Sequence, residues 1–95
     1  MSNKPGRKPT ISNQTMTLAD TEYSYQLPES TVKFEVKCRT DFDVKLAFIE
    51  TESSTNYFTI PSGTSYWEDE IETTKTLYFQ CADAGKVLEI KSWQS

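Results

Sequence analysis

Ninety-five residues with 36% apolar and 13% aromatic side chains and a net charge of −4 suit a single folded domain. The aromatic content excludes a disordered chain, and no apolar run of about 18 residues is present to cross a membrane as a helix. Charge is divided: residues 1–19 carry Lys4, Arg7 and Lys8 and no acid, whereas residues 20–95 carry seven basic and fourteen acidic side chains, a balance that argues against nucleic acid as the partner.

Residues 1–13 read as a flexible basic arm, because two prolines, a glycine and three basic residues open the chain without periodicity. The charged start has no apolar stretch behind it, unlike a secretory signal. Residues 14–95 read as one β-sandwich domain. Residues 10–19 alternate weakly and suit a first strand or an extended segment laid on a partner. Tyr23, Tyr25 and Leu27 alternate next, until Pro28-Glu29-Ser30 turns the chain.

Residues 31–39 give the clearest signal. Val32, Phe34, Val36 and Cys38 fall on one side, and Lys33, Glu35, Lys37 and Arg39 on the other. A period of two sends successive side chains to opposite faces of a strand. One apolar and one charged face is the pattern of an antiparallel sheet with one side in water. After the Asp41-Phe42-Asp43 turn, Val44, Leu46 and Phe48 point one way. Residues 57–60 form a short strand closed by Pro61-Ser62-Gly63. Residues 64–72 begin β-prone and end acidic. Leu77, Phe79 and Cys81 point inward while Tyr78 and Gln80 point outward. Gly85 closes a turn, and Leu88 and Ile90 face inward on the last strand. No stretch shows helical periodicity. The expectation is an all-β fold: a small antiparallel sandwich, jelly-roll or Ig-like, of six to eight short strands. Its core leans on Phe34, Phe48, Phe58 and Phe79.

The chain has no histidine, which removes the usual general base and the commonest metal ligand. Gly6, Gly63 and Gly85 are isolated, so there is no phosphate loop. Cys38 and Cys81 are too few for a disulfide scaffold or a structural zinc site. Two buried reduced thiols are expected, and a bridge requires their strands to lie side by side or face to face. The acidic run Glu68-Asp69-Glu70-Glu72 has no EF-hand spacing and reads as a solvated edge. No enzyme, cofactor or metal is expected. The remaining candidates are outward aromatic rings, Tyr57, Tyr66, Trp67, Tyr78 and Trp93. With the basic residues Lys4, Arg7 and Lys8, Tyr57, Tyr66, Trp67 and Trp93 form the expected partner-binding set.

Five short words in order carry a resemblance: Tyr23-Ser-Tyr-Gln-Leu-Pro28, Val44-Lys-Leu-Ala-Phe48, Tyr57-Phe-Thr-Ile-Pro61 with Gly63, Thr76-Leu-Tyr-Phe-Gln80, and Gly85-Lys-Val-Leu-Glu-Ile90 ending near Trp93. Their layout over residues 14–93 resembles small β-sandwich virion proteins of tailed bacteriophages, of the capsid-decoration or head-accessory type. The resemblance implies a non-enzymatic structural protein of the virion, assembled in the host cytoplasm. Its partner would be the major capsid protein or a portal, neck or tail protein. It is compatible with a homo-oligomer, implies no cofactor and carries no site residue; the expectation of no nucleic acid and no membrane comes from the acidic body and the lack of an apolar span. A carbohydrate-binding module stacking sugars on Tyr66, Trp67 or Trp93 is the alternative from another class. A small cytoplasmic inhibitor or accessory domain is the third.

Overall fold

The computed structural model describes residues 8–69 and 76–94. They contain no helix and eight strands: β1 (Lys8–Met16), β2 (Tyr23–Gln26), β3 (Thr31–Cys38), β4 (Val44–Ala47), β5 (Phe58–Ile60), β6 (Ser65–Asp69), β7 (Thr76–Gln80) and β8 (Lys86–Gln94). The first sheet runs β1-β8-β3-β6 and the second β2-β7-β4-β5, and every pairing is antiparallel. The first strand pairs with the last, the second with the second-last, and so on inward to β4 and β5. The chain is thus a long hairpin ribbon rolled up until β8 meets β3 and β7 meets β4. That order is the jelly roll, one of the two sandwiches the strand pattern allowed.

β3 shows how the sequence builds this. Phe34 and Val36 are buried and Lys37 is exposed, as the alternation requires. The phase slips at one place, a bulge between Thr31 and Lys33 where β3 meets β8. The bulge turns Thr31 inward and leaves Val32 half-buried. Turns close where their residues demand. Thr31 N–H donates to the Pro28 carbonyl at 3.2 Å, and Thr64 N–H to that of Pro61 at 3.2 Å. Gly63 takes φ 83°, as the third position of a type II turn requires.

The core lies between the sheets around Phe34, Phe79, Leu46, Leu77, Leu88 and Ile90. Phe42, read as a turn residue, is buried in it as well. Phe48 and Phe58, expected in the core, are 40% and 52% exposed. Phe58 has inward parity beside Leu46, but β5 is an edge strand of three residues and no described strand lies beyond it. Gln80, expected outward, is buried because residues 48–57 fold back over the second sheet. Its Nε2 donates to Ser53 Oγ at 2.8 Å. The Ser53 hydroxyl donates in turn to Glu22, which also accepts from the backbone N–H of Thr51 at 2.8 Å and of Ser53 at 3.1 Å. One carboxylate thus pins the long β4–β5 loop.

The arm boundary is corrected as well. Residues 8–13 belong to β1, paired with β8 from Lys8 opposite Gln94 to Met16 opposite Lys86. Nine residues of β8 offer partners for the whole length, and Pro9 is admitted because an edge strand can leave its missing N–H on the solvent side. Lys4 and Arg7 lie outside the described residues. Cys38 is half-buried, Cys81 is buried, and both are free thiols.

Candidate functional site

The edge where β5 meets β6 is lined with rings. From buried Phe34 the centroid distance to Tyr66 is 6.1 Å, and from Tyr66 to Phe58 it is 4.9 Å. Phe48 meets Phe34 edge-on, with ring centroids 6.4 Å apart. β6 faces β3 so that Tyr66 lies opposite Val36, on the core side. Tyr66 is therefore an inward residue, which corrects its reading as an outward ring. Burial, and then the Glu68 carboxylate that accepts its hydroxyl proton at 2.6 Å, push its phenol up to about 12, so it stays neutral.

The line of rings ends in solvent. Phe48, Ile49, Tyr57 and Phe58 all remain exposed around a shallow groove of about 250 Å³ floored by Leu46 and Ala47. Lys45 holds its ammonium 4.9 Å from the Tyr57 centroid, at the polar margin. Contiguous exposed apolar groups with a polar rim are a general feature of surfaces that meet a partner, a membrane or a ligand. The backing is firm, because β4 lies between β5 and β7 and the loop is tied to Glu22.

The outer face of the first sheet differs. Lys33 places its Nζ 5.2 Å from the Trp67 ring and 4.7 Å from the Trp93 ring, and Lys91 stands 4.9 Å from Trp93 on its own strand. Trp67 is 55% exposed and Trp93 half-buried. Beside them a groove of about 400 Å³ runs past Ile11, Glu35, Lys37, Arg39 and Glu89. Glu89 accepts from Arg39 Nε at 2.7 Å and pairs with Lys37 at 3.7 Å. The Arg39 hydrogen bond, more than the nearby charges, holds its carboxyl below the usual range. On this face Glu89 is paired with two cations, while Lys33 and Lys91 lie against indole rings.

The expected partner-binding residues therefore do not form one site. Tyr57 joins the apolar edge, Tyr66 supports it from inside, and Trp67 and Trp93 sit on the other surface. Lys8 opens β1. Phe48 and Phe58 were missed as surface residues because their parity and apolar character suit a core, and Ile49 was not singled out at all. The usable signal was the shortness of the Phe58 strand beside a polar loop. As for chemistry, burial first, then Asp43 and Cys81, push the Cys38 thiol up to about 11, far from a thiolate nucleophile. Among the described residues no cluster of three or more acidic or sulfur ligands is placed to hold a metal.

No protein-family model, curated protein or solved structure matches this chain.

Proposed function

We propose that this protein is a non-enzymatic structural component of a phage virion, decorating or cementing the capsid, or serving at the neck or tail, by seating its aromatic edge on a neighbouring protein. The observation that carries the adhesive part is the exposed group Phe48, Ile49, Tyr57 and Phe58 on a rigid sandwich edge. The particle part rests on the resemblance of strand and turn order in the sequence. The jelly roll agrees with it, being a fold of viral capsid proteins, but lectins share that fold, so fold alone does not choose. Weak contacts of this size become effective when many copies bind one shell.

The glycan alternative is less well supported. Sugar stacking needs open ring faces, and Lys33 already lies over both Trp67 and Trp93. The test is co-sedimentation of the purified protein with assembled phage capsid shells. Stoichiometric capture that falls at least about tenfold in Phe58→Asp is expected, a loss in the range of one interface hot spot. Absence of capture, or saccharide binding that disappears in Trp67→Ala, overturns the reading.

A further inference from the structure

Among the described residues, four strands form the edges of the two sheets, β1 and β6 in one, β2 and β5 in the other. Exposed edges invite pairing with another chain, and proteins blunt them with short strands, charge or proline. β5 has three residues and β2 four. β6 has five and ends in Glu68 and Asp69. β1 has nine, and from Thr10 to Met16 it carries no charge at all.

The free side of β1 can be read from its own pairing. Met16 turns its carbonyl toward the β8 side, where it accepts from Gly85 N–H at 2.7 Å. Alternate residues of an antiparallel strand point their backbone groups to opposite sides. Pro9, of opposite parity, has no N–H to give the ladder, which agrees. Ile11, Asn13 and Thr15 therefore aim N–H and C=O at solvent along the open edge. Their side chains stand on the outer face, where Ile11 is 68% exposed.

We propose that this edge is a self-association surface, at which a second copy of the chain adds its β1 antiparallel across a two-fold axis and joins two four-stranded sheets into one of eight. The strand is complementary to itself. Centred on Asn13, the pairing sets Ile11 opposite Thr15 in each direction, a β-branched cross-strand pair on the outer face. It makes about six main-chain hydrogen bonds and asks nothing of Pro9. No like charges meet between Thr10 and Met16. The antiparallel arrangement also turns the Lys8 end of each copy, next to the basic Lys4 and Arg7 sequence, toward the turn that carries Asp20 in the other. A two-fold contact of this kind is the commonest way for identical chains to associate. The inference does not depend on which particle, if any, the protein decorates.

Analytical ultracentrifugation of the full chain over about 1 to 300 µM tests it, because a contact at the small end of interface sizes dissociates in that range. A concentration-dependent dimer is expected. Asn13→Pro, which removes an N–H on the open side only, should weaken it at least about tenfold, whereas Asn13→Ala should leave it unchanged. Ile11→Lys, which places a charge on the exposed edge without touching the ladder to β8, should weaken it likewise and covers the case in which the proline is not tolerated. Far-ultraviolet circular dichroism monitors the fold of each variant. A monomer at every concentration overturns the proposal. So does a dimer that Ile11→Lys leaves intact and Phe58→Asp dissolves, since that would place self-association on the aromatic edge. Shell capture is a separate readout, so loss of either result leaves the other standing.

Discussion

The two open sides of the sandwich are closed by different chemistry. Where β5 meets β6, rings fill the gap, and the row Phe34, Tyr66, Phe58 runs from full burial to half exposure. Where β1 lies, the inward side chains are Thr10, Ser12 and Gln14, and only Met16 is buried. There Thr10 Oγ1 donates to Gln94 Oε1 at 2.7 Å, and Gln94 Nε2 reaches the hydroxyls of Thr31 and Ser92, each at 3.0 Å. The aromatic side buries area without direction, so its last ring is left adhesive to any matching apolar surface. The polar side satisfies its own groups and leaves only a directional row of backbone groups. One molecule thus offers a hydrophobic contact on one flank and a hydrogen-bonding contact on the other.

The comparison is most sharply broken at the inner end of the ring row. Phe34→Ala removes the ring on which Tyr66 and Phe48 lean, and chemical denaturation should show a loss of about 3–5 kcal/mol. A loss near 1 kcal/mol would mean the row does not continue the core. On the polar flank Gln94→Leu strands the buried Ser92 hydroxyl, whereas Thr31 keeps its own bond to the Pro28 carbonyl at 2.6 Å, and the change should cost about 1–3 kcal/mol by the same measurement. If it is neutral, the amide contributes nothing to closing that end.

The smallest effect concerns the loop that displays Ile49. Partial burial raises the Glu22 carboxyl, but its bonds from the Ser53 hydroxyl and the Thr51 and Ser53 backbone outweigh that and hold it below its ordinary value. A depressed folded value means the stabilisation is present above the unfolded carboxylate range, about pH 4 to 5, and is lost as pH falls through the folded value. Hydrogen-exchange protection factors at residues 51–57, taken relative to the intrinsic rate at each pH, should therefore fall on acidification more in the wild type than in Glu22→Gln. Equal acid response in both would show that the carboxylate does not hold the loop.

Much of the fold was legible because β3, β7 and β8 are central strands with a neighbour on either side. Their alternation had to satisfy a core and a solvent face at once, so it survives in the sequence at Phe34, Val36, Leu77, Phe79, Leu88 and Ile90. The surface was less legible, for reasons outside any short window. Gln80 has outward parity and is buried because a loop more than twenty residues earlier covers it. Phe58 has inward parity and is half exposed because its strand lies at the rim. Phe42 enters the core from a turn, where period two gives no guidance. Pro9 disguised the start of β1, since a proline reads as a stop unless the strand is known to be an edge. Of the candidate surface, Tyr57 was recovered by its exposed ring, while Phe48 and Phe58 looked like interior residues and Ile49 carried no signal either way.

The pairing of β1 with β8 has one more consequence. Lys8 sits opposite Gln94, so the two outermost described positions leave the body at the same corner. A load drawing those positions apart meets the ladder one rung at a time, as a zipper does, instead of shearing all rungs together. The sandwich is therefore easiest to open from that corner, and the strand released first is β1, uncharged from Thr10 to Met16. Cargo fused beyond either position would hang from a single side of the molecule, well away from the Gly63 and Gly85 turns.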